Sequence, residues 1–234
     1  PRTRFSPRTL SLVRRRCTSL SRWKTVQTPL QPHLLRTRRR IPNVSLTPKS
    51  SAKSGKGFLA VDRRMRTTVD NIYAIGDLAG QPMLAHKGSK EGLVAAGVIA
   101  GRAEEYDARC VPAVIFTAPE MASVGKLERE LDEEGRAYEV GSFPFAASGR
   151  ALSLMETDGF VKVVADAETD EVLGVHMVGP EVTELIAEAA LAIEMGATAE
   201  DLARTIHAHP TLPEALMEAA EAVHGMAVHI YQKR

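Results

Sequence analysis

Phe160-Val161-Lys162-Val163-Val164-Ala165 and Val172-Leu173-Gly174-Val175-His176-Met177-Val178 read as two strands rich in β-branched residues. The turn-forming Asp166-Ala167-Glu168-Thr169-Asp170 lies between them, so residues 160–178 predict a hairpin. Just downstream, Val182, Leu185, Ile186, Ala189, Ala190 and Ile193 follow the spacing of an amphipathic helix over 181–195. Further upstream, 111–117 and 121–125 predict strands around Pro119, 127–135 a charged helix, and 138–144 another strand. At the C-terminal end, Leu212, Ala215, Leu216, Ala219, Ala220 and Val223 repeat the helical spacing over 212–223. Strands followed by helices predict an α+β domain whose helices pack on one face of a sheet.

Before this domain, and separated from it by a linker near 104–110, residues 58–62 and 72–75 predict short strands. Residues 87–103 predict a helix containing Gly88, Gly92, Gly97 and Gly101. Each interior glycine costs about 1 kcal/mol relative to alanine, so four of them require a reason. Tight helix packing is one, and close approach of a buried cofactor is the other.

Composition narrows the function classes. Hydrophobic residues make up 44% of the 234, and no apolar run reaches the ~20 residues of a membrane span. Cys17 and Cys110 are too few and too far apart for a disulfide scaffold or a cysteine zinc site, which implies a soluble, cytoplasmic protein. Residues 1–61 hold fifteen Lys or Arg and no Asp or Glu, so all twenty-nine acidic residues lie from Asp62 onward. The basic leader, 1–56, has three readings: a nucleic-acid arm, a transit-type segment, or a non-native translation. Each predicts disorder or poor packing there. The acidic remainder argues against a nucleic-acid partner.

Polar function is densest in His207-Ala208-His209-Pro210-Thr211-Leu212-Pro213-Glu214. Two histidines at i, i+2 in an extended segment share a side, but no third ligand lies at useful spacing, so no metal is expected. Pro210 keeps His209 out of the helical region, which suits a general base held in one direction. Glu214 has two readings. With Thr211 it forms a capping box at a helix start; alternatively its carboxylate accepts an imidazole N–H and orients the ring. His176, alternating with apolar residues, reads as a structural histidine, while His224 and His229 carry no signal. Elsewhere, Ile72-Tyr73-Ala74-Ile75-Gly76-Asp77 ends an apolar strand with a carboxylate that could either cap a turn or accept a hydroxyl. Met83-Leu84-Ala85-His86 leads into the glycine-bearing helix.

Together these stretches, with Thr67 to Asp77, Phe116-Thr117-Ala118-Pro119-Glu120 and Ser148-Gly149-Arg150-Ala151, resemble the C-terminal part of the flavin-dependent pyridine nucleotide–disulfide oxidoreductases. The resemblance covers roughly 57–234 and is strongest to the branch that oxidises dihydrolipoyl groups. It implies the last piece of an FAD-binding domain over 57–108 and a dimerisation domain, an antiparallel sheet with helices on one face, over 109–234. It further implies FAD as cofactor and NAD as co-substrate. Gly76 and Asp77 would stand at the ribityl chain, and Met83, Leu84, Ala85 and His86 at the flavin. His209 would be the acid/base, held by Glu214 and serving the partner subunit of a homodimer. The implied macromolecular partner is a lipoyl-bearing subunit of a 2-oxo acid dehydrogenase or glycine cleavage complex. A mercuric or glutathione reductase type, or a non-catalytic dimerisation module, are the alternatives. The family's redox-active cysteine pair and Gly-rich dinucleotide fingerprint are missing, so the resemblance also implies that the chain alone is inactive.

Overall fold

The apolar runs between residues 113 and 179 pair into one five-stranded antiparallel sheet in the structure, a computed structural model that describes residues 57–232. The expectations for the basic leader concern residues outside the described ones. In chain order the elements are α1 (Ala85–Ile99), β1 (Ala113–Ile115), β2 (Glu120–Gly125), α2 (Glu128–Glu134), β3 (Tyr138–Pro144), α3 (Gly149–Leu154), β4 (Phe160–Asp166), β5 (Val172–Gly179), α4 (Val182–Met195), α5 (Ala199–Arg204) and α6 (Glu214–Val223). The strands lie in the order β1-β2-β5-β4-β3, which puts the predicted hairpin at the centre.

Alternation along the strands decides which face is covered. Val161, Val163, Val175, Met177, Val124 and Phe143 point to one side, where they meet Val182, Ile186 and Ala189 of α4 and Leu216, Ala219 and Ala220 of α6. Each fully buried valine or leucine contributes roughly 1.5–3 kcal/mol of transfer free energy. The opposite face carries a second, smaller cluster of Leu131, Val164 and Leu173, with Tyr138 packed against it. The long helices therefore share one face as expected, while short α2 covers part of the other. At Gly141 the packing is backbone on backbone, because an added Cβ would lie 2.1 Å from Ala219 O and 2.4 Å from Val223 N.

Asp166 closes the central hairpin. Its Oδ1 accepts the backbone N–H of Glu168 at 3.0 Å and of Thr169 at 2.8 Å, and its Oδ2 takes Arg136 Nε at 2.7 Å. The Thr169 N–H, then Arg136, hold this carboxyl far below the ordinary carboxylate range. A carboxyl depressed in the folded state stabilises the fold above its unfolded value, near 3.9, and that stability is lost as pH falls below it. The urea midpoint of the wild type is therefore expected to drop between pH 5 and pH 2, and the drop to shrink in Asp166→Asn. Equal slopes in the two proteins would refute the assignment.

Two helices have no counterpart in the sequence reading. Ser148 Oγ accepts Ala151 N–H to start α3, and Thr198 and Asp201 form a reciprocal capping box at the start of α5. Both helices are only six residues long, too short to display a period. The expected strands over 58–62 and 72–75 are also corrected. Arg66 and Tyr73 form one isolated bridge, and no regular strand forms there among the described residues, because no neighbouring strand supplies a ladder. Here a separate cluster of Met65, Val94, Ala95 and Val98 forms the core. Among the described residues no helix is long and apolar enough to cross a membrane.

Candidate functional site

The loop between α5 and α6 brings His209 and Glu214 together. His209 Nδ1 lies 2.8 Å from Glu214 Oε1, and the other carboxylate oxygen accepts Thr211 N–H at 2.7 Å. The orienting reading of Glu214 is therefore realised on one oxygen, while of the capping-box reading only the glutamate-to-backbone half forms, on the other. The threonine half of the capping box is not formed, since Thr211 Oγ1 donates to Ala208 O at 2.5 Å instead. Burial alone would raise the Glu214 pKa, but the Thr211 N–H and then His209 outweigh it and hold the carboxyl below its ordinary value. The His209 side chain is 77% exposed, and its Nε2 has no hydrogen-bonding partner among the described residues.

His207 does something different. Its ring is buried, with Nδ1 2.8 Å from Thr205 O and Nε2 2.8 Å from Glu188 Oε1 on α4. The i, i+2 spacing does not bring the two rings together, because the buried His207 ring takes Glu188 and the exposed His209 ring takes Glu214. Among the described residues no group of three or more His, Cys, Asp or Glu gathers as metal ligands.

His176 is hydrogen-bonded to Ser123 Oγ at 2.8 Å and to Lys126 O at 3.0 Å, a structural role, and burial lowers its pKa. His229, which gave no sequence signal, pairs with buried Glu218 on α6, and that hydrogen bond raises its pKa. Only long-range placement of the C-terminal segment could have found this pair. Cys110 is half-buried, and burial followed by the nearby Glu194 raises its thiol to about 11, so it is a poor nucleophile at neutral pH.

At the other end of the described chain, Gly76-Asp77-Leu78 forms a single 3-10 turn against α1. The glycines of α1 serve packing: a Cβ on Gly88 would lie 3.2 Å from Gly76 Cα, and one on Gly92 3.4 Å from Ile75 Cδ1. Gly97 takes the Glu104 side chain, and Gly101 lies past the helix end at φ +81°. Met83 and Asp77 are exposed, Leu84 is the half-buried N-cap residue, and Ala85 and His86 open α1. His86 Nε2 lies 2.7 Å from Pro112 O, which ties this loop to the segment leading into β1.

The fit to FAD can be tested on these residues. The exposed Asp77 carboxylate can accept hydroxyl donors, and Gly76 keeps the turn slim. The α1 start has no side-chain cap, which leaves backbone N–H groups free to face an electron-rich ring. The residues present fit one edge of such a group.

Residues 111–220 match the family described as the pyridine nucleotide-disulphide oxidoreductase dimerisation domain, and residues 40–92 match the pyridine nucleotide-disulphide oxidoreductases. Dihydrolipoyl dehydrogenase of Thermus scotoductus is 56% identical over 178 residues, 76% of this chain and 38% of the relative. Dihydrolipoyl dehydrogenase of Haloferax volcanii is 57% identical over 175 residues, 74% of this chain and 37% of the relative. Among solved structures, LpdA of Mycobacterium tuberculosis superposes with a TM-score of 0.67 at 32% identity, covering 73% of this chain and 38% of that one. The HOCl-induced flavoprotein disulfide reductase RclA of Escherichia coli gives the same TM-score at 27% identity, covering 75% of this chain and 41% of that one. The chain thus spans under half the length of the relatives it matches. Its sheet, its helices and both sequence matches place it in the pyridine nucleotide–disulfide oxidoreductase family, as a C-terminal part that includes the dimerisation domain.

Proposed function

We propose that this chain is the C-terminal part of a flavin-dependent dihydrolipoyl dehydrogenase, which oxidises protein-bound dihydrolipoamide with NAD+. The observation that carries the reading is the His209–Glu214 pair, 2.8 Å apart, with the second ring nitrogen open to solvent. When bound, FAD supplies the route by which electrons pass from a thiol pair to NAD+.

The chain's own residues handle the proton. Nδ1–H of His209 donates to Glu214, so the lone pair sits on Nε2, and the carboxylate stabilises the imidazolium that forms when Nε2 takes a thiol proton. Because Glu214 also accepts Thr211 N–H, it stays ionised and fixed. Asp77 would accept hydroxyls of the flavin's polyol chain, with Gly76 beside it and Met83 to His86 at the ring edge. The exposed ring of His209 suits a base that serves the active site of a second subunit in a homodimer. A lipoyl-bearing subunit of a 2-oxo acid dehydrogenase or glycine cleavage complex would bring the dithiol. Cysteine usage favours a cytoplasmic location.

The thiol chemistry needs a redox-active cysteine pair, and neither Cys17 nor Cys110 has a second cysteine nearby in sequence. The 234-residue chain is therefore expected to show no NADH formation from dihydrolipoamide and NAD+, even with added FAD. Measurable turnover by the purified chain would overturn this account.

A further inference from the structure

Lys87 and Glu91 lie one turn apart on α1, and both are buried, with side chains 7% and 4% exposed. Two charges taken out of water are tolerated only where good geometry and further hydrogen bonds compensate. Here those bonds converge on one short stretch of backbone. Lys87 Nζ is 2.8 Å from Glu91 Oε1 and donates to Gly80 O at 3.1 Å. Glu91 Oε2 accepts Gly76 N–H at 2.6 Å. The pair therefore grips both ends of Gly76–Gly80, with Asp77 exposed between them.

Apart from the pair, the stretch is tied by Ala79 N–H to Gly76 O and by Leu59 N–H to Leu78 O, both at 2.9 Å, and neither bond engages Gly76 N–H or Gly80 O. Gly76 and Gly80 sit at φ +65° and +138°, which side-chain-bearing residues rarely adopt, and Ile75 provides no side-chain cap for the turn. An apolar pair of similar volume would pack α1 equally well. It could not hold one N–H and one carbonyl four residues apart.

We infer that Lys87 and Glu91 are positioning residues, a buried ion pair that sets the Gly76–Gly80 backbone and, through it, the direction of Asp77 toward the polyol chain of the flavin. This rests on the role proposed above for Asp77.

The test compares two variants of the 234-residue chain with wild type by thermal unfolding and site-resolved amide exchange. Lys87→Met with Glu91→Leu removes both charges at similar volume, and Glu91→Gln keeps an acceptor for Gly76 N–H. In the double variant, Gly76 N–H is expected to exchange faster by on the order of ten- to a hundredfold, the weight of one charge-assisted bond. Exchange in Val94–Val98 and the thermal midpoint stay at wild-type values, and Glu91→Gln restores most of the protection. Unchanged exchange at Gly76, or a loss spread evenly along α1 with a lower midpoint, would reduce the pair to packing and overturn the inference. In the full-length flavoprotein, the FAD dissociation constant is then read by fluorescence for Asp77→Ala and for the double variant. Weaker binding in both supports the inference. Weakening in Asp77→Ala alone overturns it, and no effect of Asp77→Ala overturns the role of Asp77 on which it rests.

Discussion

On the function proposed above, replacing His209 with Gln in the full-length enzyme is expected to lower dihydrolipoamide oxidation by on the order of 10²- to 10⁴-fold, the usual contribution of a general acid/base. Glutamine can still donate an N–H to Glu214, which keeps the loop closed. It has no nitrogen that can take up a proton at neutral pH. The ring is mostly exposed and belongs to no hydrophobic cluster, so the thermal midpoint and flavin content are expected to match wild type. Steady-state turnover with dihydrolipoamide and NAD+ decides the matter, and near-normal rates would remove His209 from the chemistry.

The second large effect is on stability. Gly141→Ala puts a methyl carbon where Ala219 O would be 2.1 Å away and Val223 N 2.4 Å away. Both are backbone atoms of the last turns of α6, so no side-chain rotation relieves the clash. The helix must move off β3, opening the contacts of Leu216, Ala219 and Ala220 with the sheet. Overpacking usually costs 1–3 kcal/mol, and this rigid case is expected at about 3 kcal/mol or above. For a domain of this size, that lowers the thermal midpoint by roughly 6–12 °C. A midpoint within a degree of wild type would show that α6 has slack the structure does not display.

The sequence disclosed most where a pattern ran long enough to average out local noise. Val161, Val163, Val175 and Met177 mark the inner face of the central hairpin by alternation, and α4 and α6 appear within two residues of their expected limits. It disclosed least where structure is decided by partners far along the chain. Residues 58–62 and 72–75 have strand-like composition but no ladder among the described residues. Lys87 and Glu91 look like ordinary solvated helix charges until the fold buries them against Gly76 and Gly80. At the site, His209 and Glu214 are close in sequence and were legible. The Glu188 carboxylate that pins His207 comes from nineteen residues earlier and was not. Spacing also could not show that one glutamate would serve both the backbone and the ring.

That shared glutamate has a consequence for encounter. A side chain that must stop wandering when a ligand arrives loses roughly 0.5–1.5 kcal/mol of rotational freedom at that moment. With one oxygen on Thr211 N–H and the other on His209 Nδ1, this loss is already met during folding. On the function proposed above, an incoming dithiol would meet a His209–Glu214 pair whose carboxylate is already held in place.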